Sequence, residues 1–166
     1  MTVLVTDRLV LRRAVIGDLQ AMHSVLSDVQ ATRYWSTPPH DTIEQTQVWL
    51  DSMIDSPPEL SEDFVVTLGG RVVGKAGFYR LPEIGYILHP EVWGEGIAYE
   101  ACRAVIDHVF ATRAGIGHLI ADVDPENRKS ISLLTRLGFR KTGQRARTIQ
   151  VGGVWCDSLY FRLDRE

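Results

Sequence analysis

The segment from His89 to Phe110, HPEVWGEGIAYEACRAVIDHVF, limits the possible folds of this chain more than any other. It joins an apolar strand, Ile84 to Leu88, to an amphipathic helix through a loop with very little side-chain bulk. Gly94, Gly96 and Ala98 strip the loop, and Ala101, Cys102, Val105, Ile106 and Val109 then recur at helical spacing. Such a loop exposes backbone N–H groups, and the new helix adds further unpaired ones together with the positive end of its dipole. A phosphate or another oxyanion is the natural occupant. Two familiar phosphate loops do not match. A dinucleotide fingerprint needs a third glycine where this chain has the bulky Tyr99. A Walker loop needs Gly-Lys-Ser/Thr, which is missing here.

The rest of the chain supplies the elements for an α/β domain. Arg8 to Arg13 alternates as a strand, and Gly17 to Ser27 is a helix with Leu19, Met22, Val25 and Leu26 on one side. Ala31 to His40 has no periodicity, so it is a loop, and Asp41 or Thr42 then caps a second helix that stops before Pro57-Pro58. Phe64 to Leu68 and Val72 to Tyr79 form a hairpin about Gly69-Gly70. After the long helix come a strand, His118 to Val123, a helix, Pro125 to Leu137, and two strands, Arg140 to Ile149 and Val154 to Leu163. The predicted order β-α-α-β-β-β-α-β-α-β-β describes a central twisted mixed sheet of about seven strands flanked by helices on both faces. With no linker to split it, residues 1–166 are expected to be one domain.

Composition narrows the partners. The net charge of −3 provides no field for nucleic acid, and no apolar stretch approaches the ~20 residues that cross a bilayer. The isolated Cys102 and Cys156 read as buried thiols, for which a reducing cytoplasm is the natural compartment, and the expected assembly is a monomer or homodimer. His23, His108 and His118 have no metal-ligand spacing, so no metal is expected.

The loop Trp93-x-x-Gly96-x-Ala98 resembles the acetyl-CoA loop of the GCN5-related N-acetyltransferases, whose pattern is Gln/Arg-x-x-Gly-x-Gly/Ala. Trp93 in the first position is typical of the RimJ/RimL-like ribosomal-protein branch of that superfamily. The resemblance implies acetyl-CoA as cofactor, an amine as acceptor and a fold that covers nearly the whole chain. It also implies that Tyr86, Ile87 and Leu88 hold the cofactor through main-chain groups. Gly94, Glu95, Gly96, Ile97, Ala98 and Tyr99 would surround its pyrophosphate. Leu88 N–H would serve as an oxyanion donor, freed by a bulge in its strand.

DPENRKSISLLTRLGF, Asp124 to Phe139, is similar to the second motif of the family, in which Asn-x-x-Ser opens a helix that ends in Leu-Gly-Phe. Asp124 or Asn127 suits an N-cap, and Gly138 a left-handed C-cap. By resemblance, Asn127 also bonds the pantetheine arm and Ser130 lies near the thiol. Many relatives carry a tyrosine four residues beyond the serine to protonate the departing thiolate. This chain has Leu134 there, which passes the role to Ser130 or to water.

Acetyl transfer requires the acceptor ammonium to lose a proton. The resemblance implies two candidates for the base: Glu83, which alternates with Gly85 and Ile87 and stands where the RimJ/RimL-like branch commonly has an acidic residue, and Asp122, on the strand His118 to Val123, which matches the position of a base used by some relatives. Tyr34, Trp35, His40 and Trp155 are candidates for the acceptor pocket. The acceptor is a primary amine, either a protein N-terminus or a small molecule. The competing expectation is a non-catalytic acyl-CoA-binding or sensing module, to which Leu134 would point.

Overall fold

The computed structural model describes residues 2–166. Eight strands form one sheet: β1 (Val3–Val5), β2 (Leu9–Arg12), β3 (Glu62–Leu68), β4 (Arg71–Arg80), β5 (Glu83–Leu88), β6 (His118–Val123), β7 (Arg140–Val151) and β8 (Val154–Asp164). Their spatial order is β1-β2-β3-β4-β5-β6-β8-β7. The helices are α1 (Leu19–Leu26), α2 (Ile43–Ile54), α3 (Ile97–Thr112) and α4 (Arg128–Arg136), with short 3-10 turns at Ile16–Asp18 and Pro90–Val92.

One strand exceeds the expectation from sequence. β1 is only VLV, too short to carry a readable period, and a turn in which Thr6 N–H donates to Leu9 O (2.9 Å) folds it back onto β2. The remaining elements fall close to where the sequence placed them, the helices and inner strands because they bury apolar residues, and β7, without a buried residue, through its pairing with β8. Met22, Val25 and Leu26 of α1 and Leu50 and Met53 of α2 pack on Val65 and Ile87, on one sheet face. The opposite face carries Phe64, Val66, Phe78 and Leu88, and it is covered by the Ala101–Val109 stripe of α3 and by Leu134 of α4. Adjacent residues such as Phe64 and Val65 serve different cores, as the two-residue period of a strand demands.

Helix ends follow local chemistry. Thr42 caps α2 in a capping box, its side chain accepting from Gln45 N–H while the Gln45 side chain accepts from Asp41 and Thr42 N–H. α4 begins at Arg128, three residues later than the predicted Pro125. The Asp124 side chain accepts from Glu126 N–H (2.8 Å), which holds Pro125 in a turn, and Asn127 becomes the cap.

The pairing that matters most for function is the weakest. Among the described residues β5 and β6 are the one parallel pair, and they register only at Glu83↔Ile120, with Ile120 N–H donating to Pro82 O (3.0 Å). β6 is paired along its whole length with β8, and β5 from Gly85 to Leu88 with β4. The two strands are thus held to opposite halves of the sheet, which opens past Glu83. Among the described residues no helix is long and apolar enough to cross a membrane.

Candidate active site

The opening between β5 and β6 continues into a cleft of about 550 Å³ that passes from one sheet face to the other. Strand alternation assigns the side chains. Glu83 and Gly85 lie on the α1/α2 side with Ile87, and Ile84, Tyr86 and Leu88 on the α3/α4 side. On β6 the buried Leu119, Ala121 and Val123 face α3, so Asp122 shares the Glu83 side. Of the residues expected from sequence, Tyr34, Trp35, Glu83, Tyr86, Asp122, Asn127 and Ser130 all line the cleft.

Glu83 and Asp122 are solvent-exposed at its mouth, and among the described residues neither has a salt-bridge partner. The Glu83 carboxyl is held above the ordinary carboxylate range, first by desolvation against the surrounding protein and second by the negative charge of Asp122. Two free carboxylates that repel each other beside a cleft are a proton acceptor in waiting.

On the other face, Asn127 Oδ1 accepts from Ser130 N–H (3.2 Å), and Ser130 Oγ is hydrogen-bonded to the Tyr86 hydroxyl. The cap uses the oxygen of Asn127 and leaves its amide N–H groups free. Leu134, buried one turn further along α4, lines the same cleft with an apolar side chain.

β5 also presents main-chain groups. His89 N–H donates to Val73 O (2.8 Å), and the alternation of an antiparallel ladder then makes Gly74↔Leu88 and Ala76↔Tyr86 non-hydrogen-bonded pairs. The N–H groups of Tyr86 and Leu88 point away from β4, toward the opening. The expected bulge in this strand is absent. The register shift lies in β4, between Gly77 and Arg80, where three steps oppose two on β5. It is the splay from β6 that frees the Leu88 N–H.

Beyond the end of β5, Trp93 Nε1–H donates to Leu88 O (2.9 Å) and Lys129 lies 4.7 Å from the Trp93 ring, so Trp93 ties the loop to both β5 and α4. Gly94 and Gly96 have φ of +79° and +77°. The reason for glycine here is conformational, not the removal of bulk: a Cβ on Gly94 would meet nothing within 4 Å, and one on Gly96 only Arg8 Nη2 at 3.5 Å. Gly96 caps α3 without a side chain, and the first helical bond runs from Glu100 N–H to Gly96 O (3.1 Å). Among the described residues the N–H groups of Ile97, Ala98 and Tyr99 have no partner in the chain. Arg136 and Arg103 flank the Tyr99 ring at 4.4 and 5.9 Å, adding positive charge. This loop lies outside the walls of the cleft, and β5 leads from one to the other. A long ligand with an anionic end and a neutral arm fits that layout, and the free N–H groups fit a pyrophosphate.

Two of the candidates for the acceptor pocket lie outside the cleft. Trp155 does not line the cleft: it is 48% exposed with Arg147 5.2 Å from its ring, and β8 lines the cleft instead through Cys156, Asp157 and Ser158. His40 is outside as well, its Nδ1 bonded to the buried Thr46 hydroxyl (2.8 Å), which also meets His23 Nδ1 (2.7 Å). Sequence reasoning missed Lys75 and Asp63, a buried pair (Nζ–Oδ1 2.7 Å) in the cleft wall. A lysine in a strand ordinarily reads as solvent-facing, and no local signal marked this one as buried.

The model of the acetyltransferase (GNAT) domain family matches residues 8–140. The uncharacterised N-acetyltransferase p20 of Bacillus licheniformis is 32% identical over 152 residues, covering 86% of this chain and 85% of that protein. The spermidine N(1)-acetyltransferase of Escherichia coli K12 is 28% identical over 151 residues, 86% of this chain and 78% of its own. Among solved structures, RimL, a ribosomal L7/L12 α-N-protein acetyltransferase in complex with coenzyme A, superimposes with a TM-score of 0.85 at 20% identity over 98% of both chains, a likeness of fold.

Proposed function

The chain belongs to the GNAT acetyltransferase family, and from that premise we propose how its residues divide the work of moving an acetyl group from acetyl-CoA to a primary amine. As an N-acetyltransferase it needs a hold on the cofactor, a base for the amine, and groups that meet the oxyanion and the thiolate.

The free N–H groups of Ile97, Ala98 and Tyr99, with Gly94, Glu95 and Gly96 shaping the turn, receive the pyrophosphate. Main-chain groups of Tyr86, Ile87 and Leu88 would hold the pantetheine arm, offering the backbone bonds that a neighbouring strand would otherwise take. The Asn127 amide, already fixed by its cap, donates to that arm. Leu88 N–H, aimed into the opening, stabilises the oxyanion on the acetyl carbonyl. Ser130, on the α3/α4 side, meets the departing thiolate.

The acceptor enters from the α1/α2 side between Tyr34, Trp35 and the Glu83–Asp122 pair. Glu83 takes the ammonium proton, directly or through a water, because its affinity for protons is raised above that of an ordinary carboxylate. The free carboxylates also favour an acceptor that arrives as a cation, a property shared by a polyamine and a protein N-terminus. The observation that carries the reading is the division of the cleft: carboxylates on one sheet face, the Ser130 hydroxyl on the other, and the splayed strands between.

The complete hydroxyl and carboxylate set also favours an enzyme over a sensing module that only binds acyl-CoA. Residues 1–166 act as one domain of the RimJ/RimL-like type, in the cytoplasm, as monomer or homodimer and without nucleic acid. Release of free thiol from acetyl-CoA, screened against amino acids, polyamines and N-terminal peptides, tests the function and finds the acceptor. Tight acetyl-CoA binding with no thiol release for any amine would overturn the catalytic reading.

A further inference from the structure

Leu134 leaves the cleft without the phenol expected on α4, yet a phenol stands there. Tyr86 reaches across from β5, and its hydroxyl bonds Ser130 Oγ. Among the described residues neither hydroxyl has any other partner. Burial pushes the Tyr86 phenol far above its ordinary titration range, so it keeps its proton at any working pH and must place it on an acceptor. Ser130 Oγ is the acceptor in reach. A serine hydroxyl carries one proton on a free rotor. Once Tyr86 donates into its lone pair, the serine proton has to turn elsewhere, and the cleft is what it faces.

We propose that the Tyr86 hydroxyl is a positioning residue for thiolate departure: it donates to Ser130 Oγ and commits the Ser130 proton to the coenzyme A sulfur. No proton leaves Tyr86, because a buried tyrosinate is costly. Its donation polarises the serine O–H and strengthens the bond that O–H makes to the sulfur. The phenol that Leu134 does not provide on the helix is supplied here from the strand that faces it. The proposal rests on the reading of Ser130 given above.

Steady-state kinetics with acetyl-CoA, and the amine identified by thiol release, test both. Tyr86→Phe removes one oxygen and keeps the ring in place, and a retained acetyl-CoA-induced rise in Tm certifies a folded, loaded variant. The expected result is a fall in kcat of about tenfold or more, on the scale of acid–base groups, with the KM for acetyl-CoA within about twofold. Because Tyr86 acts through Ser130, the double variant with Ser130→Ala should be no slower than Ser130→Ala alone. Full kcat in Tyr86→Phe with a slow Ser130→Ala would overturn the positioning role and leave the Ser130 reading standing. Multiplied losses in the double variant would also overturn it, since the two groups would then act independently. Full kcat in Ser130→Ala would remove the reading on which it rests.

Discussion

Glu83 and Asp122 show how far a residue's role depends on a neighbour that the chain order does not reveal. Each stands near the end of a strand, and each alone is an ordinary exposed carboxylate. The single β5–β6 pair at Glu83↔Ile120 sets them side by side on one face. Desolvation and the Asp122 charge both favour protonated Glu83, so its titration lies above the usual carboxylate range. A base must be deprotonated to act, so kcat/KM should rise with pH along an acidic limb. Glu83→Gln should flatten that limb, with cofactor binding intact. Asp122→Asn should keep the limb but move it to lower pH, because the loss of a nearby negative charge makes Glu83 easier to ionise. A profile that flattens in Asp122→Asn and persists in Glu83→Gln would reverse the assignment. His40 is a second case in which direction is legible: desolvation, then the neighbouring His23, lowers its pKa. The unfolded chain therefore binds a proton that the folded chain resists, and stability present above the ordinary histidine range is lost as pH falls through it. A Tm that drops between about pH 7 and pH 5, and drops less in His40→Gln, checks this.

At the scale of the element, the first turn of α4 carries two duties that a substitution can separate. Asn127 Oδ1 caps Ser130 N–H, while the amide nitrogen remains free for a ligand. Asn127→Ala should cost about 1 kcal/mol of stability, the usual worth of a cap, and weaken acetyl-CoA binding as well. Asn127→Asp keeps an acceptor oxygen and suits the positive end of the helix, so Tm should hold while the Kd for acetyl-CoA rises. Equal affinity in Asn127→Asp, measured by calorimetry, would restrict Asn127 to capping. The α3 loop is different in kind. Gly96 holds φ at +77°, and any side chain there is strained in addition to whatever charge it brings. Gly96→Asp adds a carboxylate beside the unpaired N–H groups and should abolish the cofactor-induced rise in Tm. Gly96→Ala separates strain from charge and should reduce that rise without removing it.

For the whole molecule, the cofactor is expected to act as a clasp. β5 and β6 share one registered pair, so the two halves of the sheet are joined here chiefly through the helices and that contact. A ligand laid along β5 and held at α3 and α4 binds the folded state alone. At about 100 times its Kd it adds roughly 2.7 kcal/mol, equivalent to a Tm increase on the order of 5–10 °C for a chain of this length. Differential scanning fluorimetry with acetyl-CoA, and with desulfo-CoA as a control that retains the pyrophosphate, measures it. An unchanged Tm at saturating acetyl-CoA would contradict the placement of the cofactor between the strands.

Local chemistry was readable from the chain wherever a residue's environment is its own neighbours. The periods of Met22–Val25–Leu26 and Ala101–Val109, the turn at Gly69-Gly70 and the cap of Thr42 all belong to this class. So does the glycine loop ahead of α3, although its physical reason proved to be positive φ and not crowding. These are short-range effects, decided within a few residues by sterics and backbone hydrogen bonds. What the chain could not reveal is whatever depends on two distant segments meeting. β1 exists only because β2 is there to pair with it, and β8 lines the cleft with Cys156, Asp157 and Ser158 while Trp155 stays outside. The Lys75–Asp63 pair, the coupling of Glu83 to Asp122 and the bond from Tyr86 to Ser130 are likewise products of packing. The opening that makes the site is the clearest instance. A missing strand-to-strand ladder leaves no mark in either strand, because each is fully occupied with its other neighbour, and only the assembled sheet shows the gap between them.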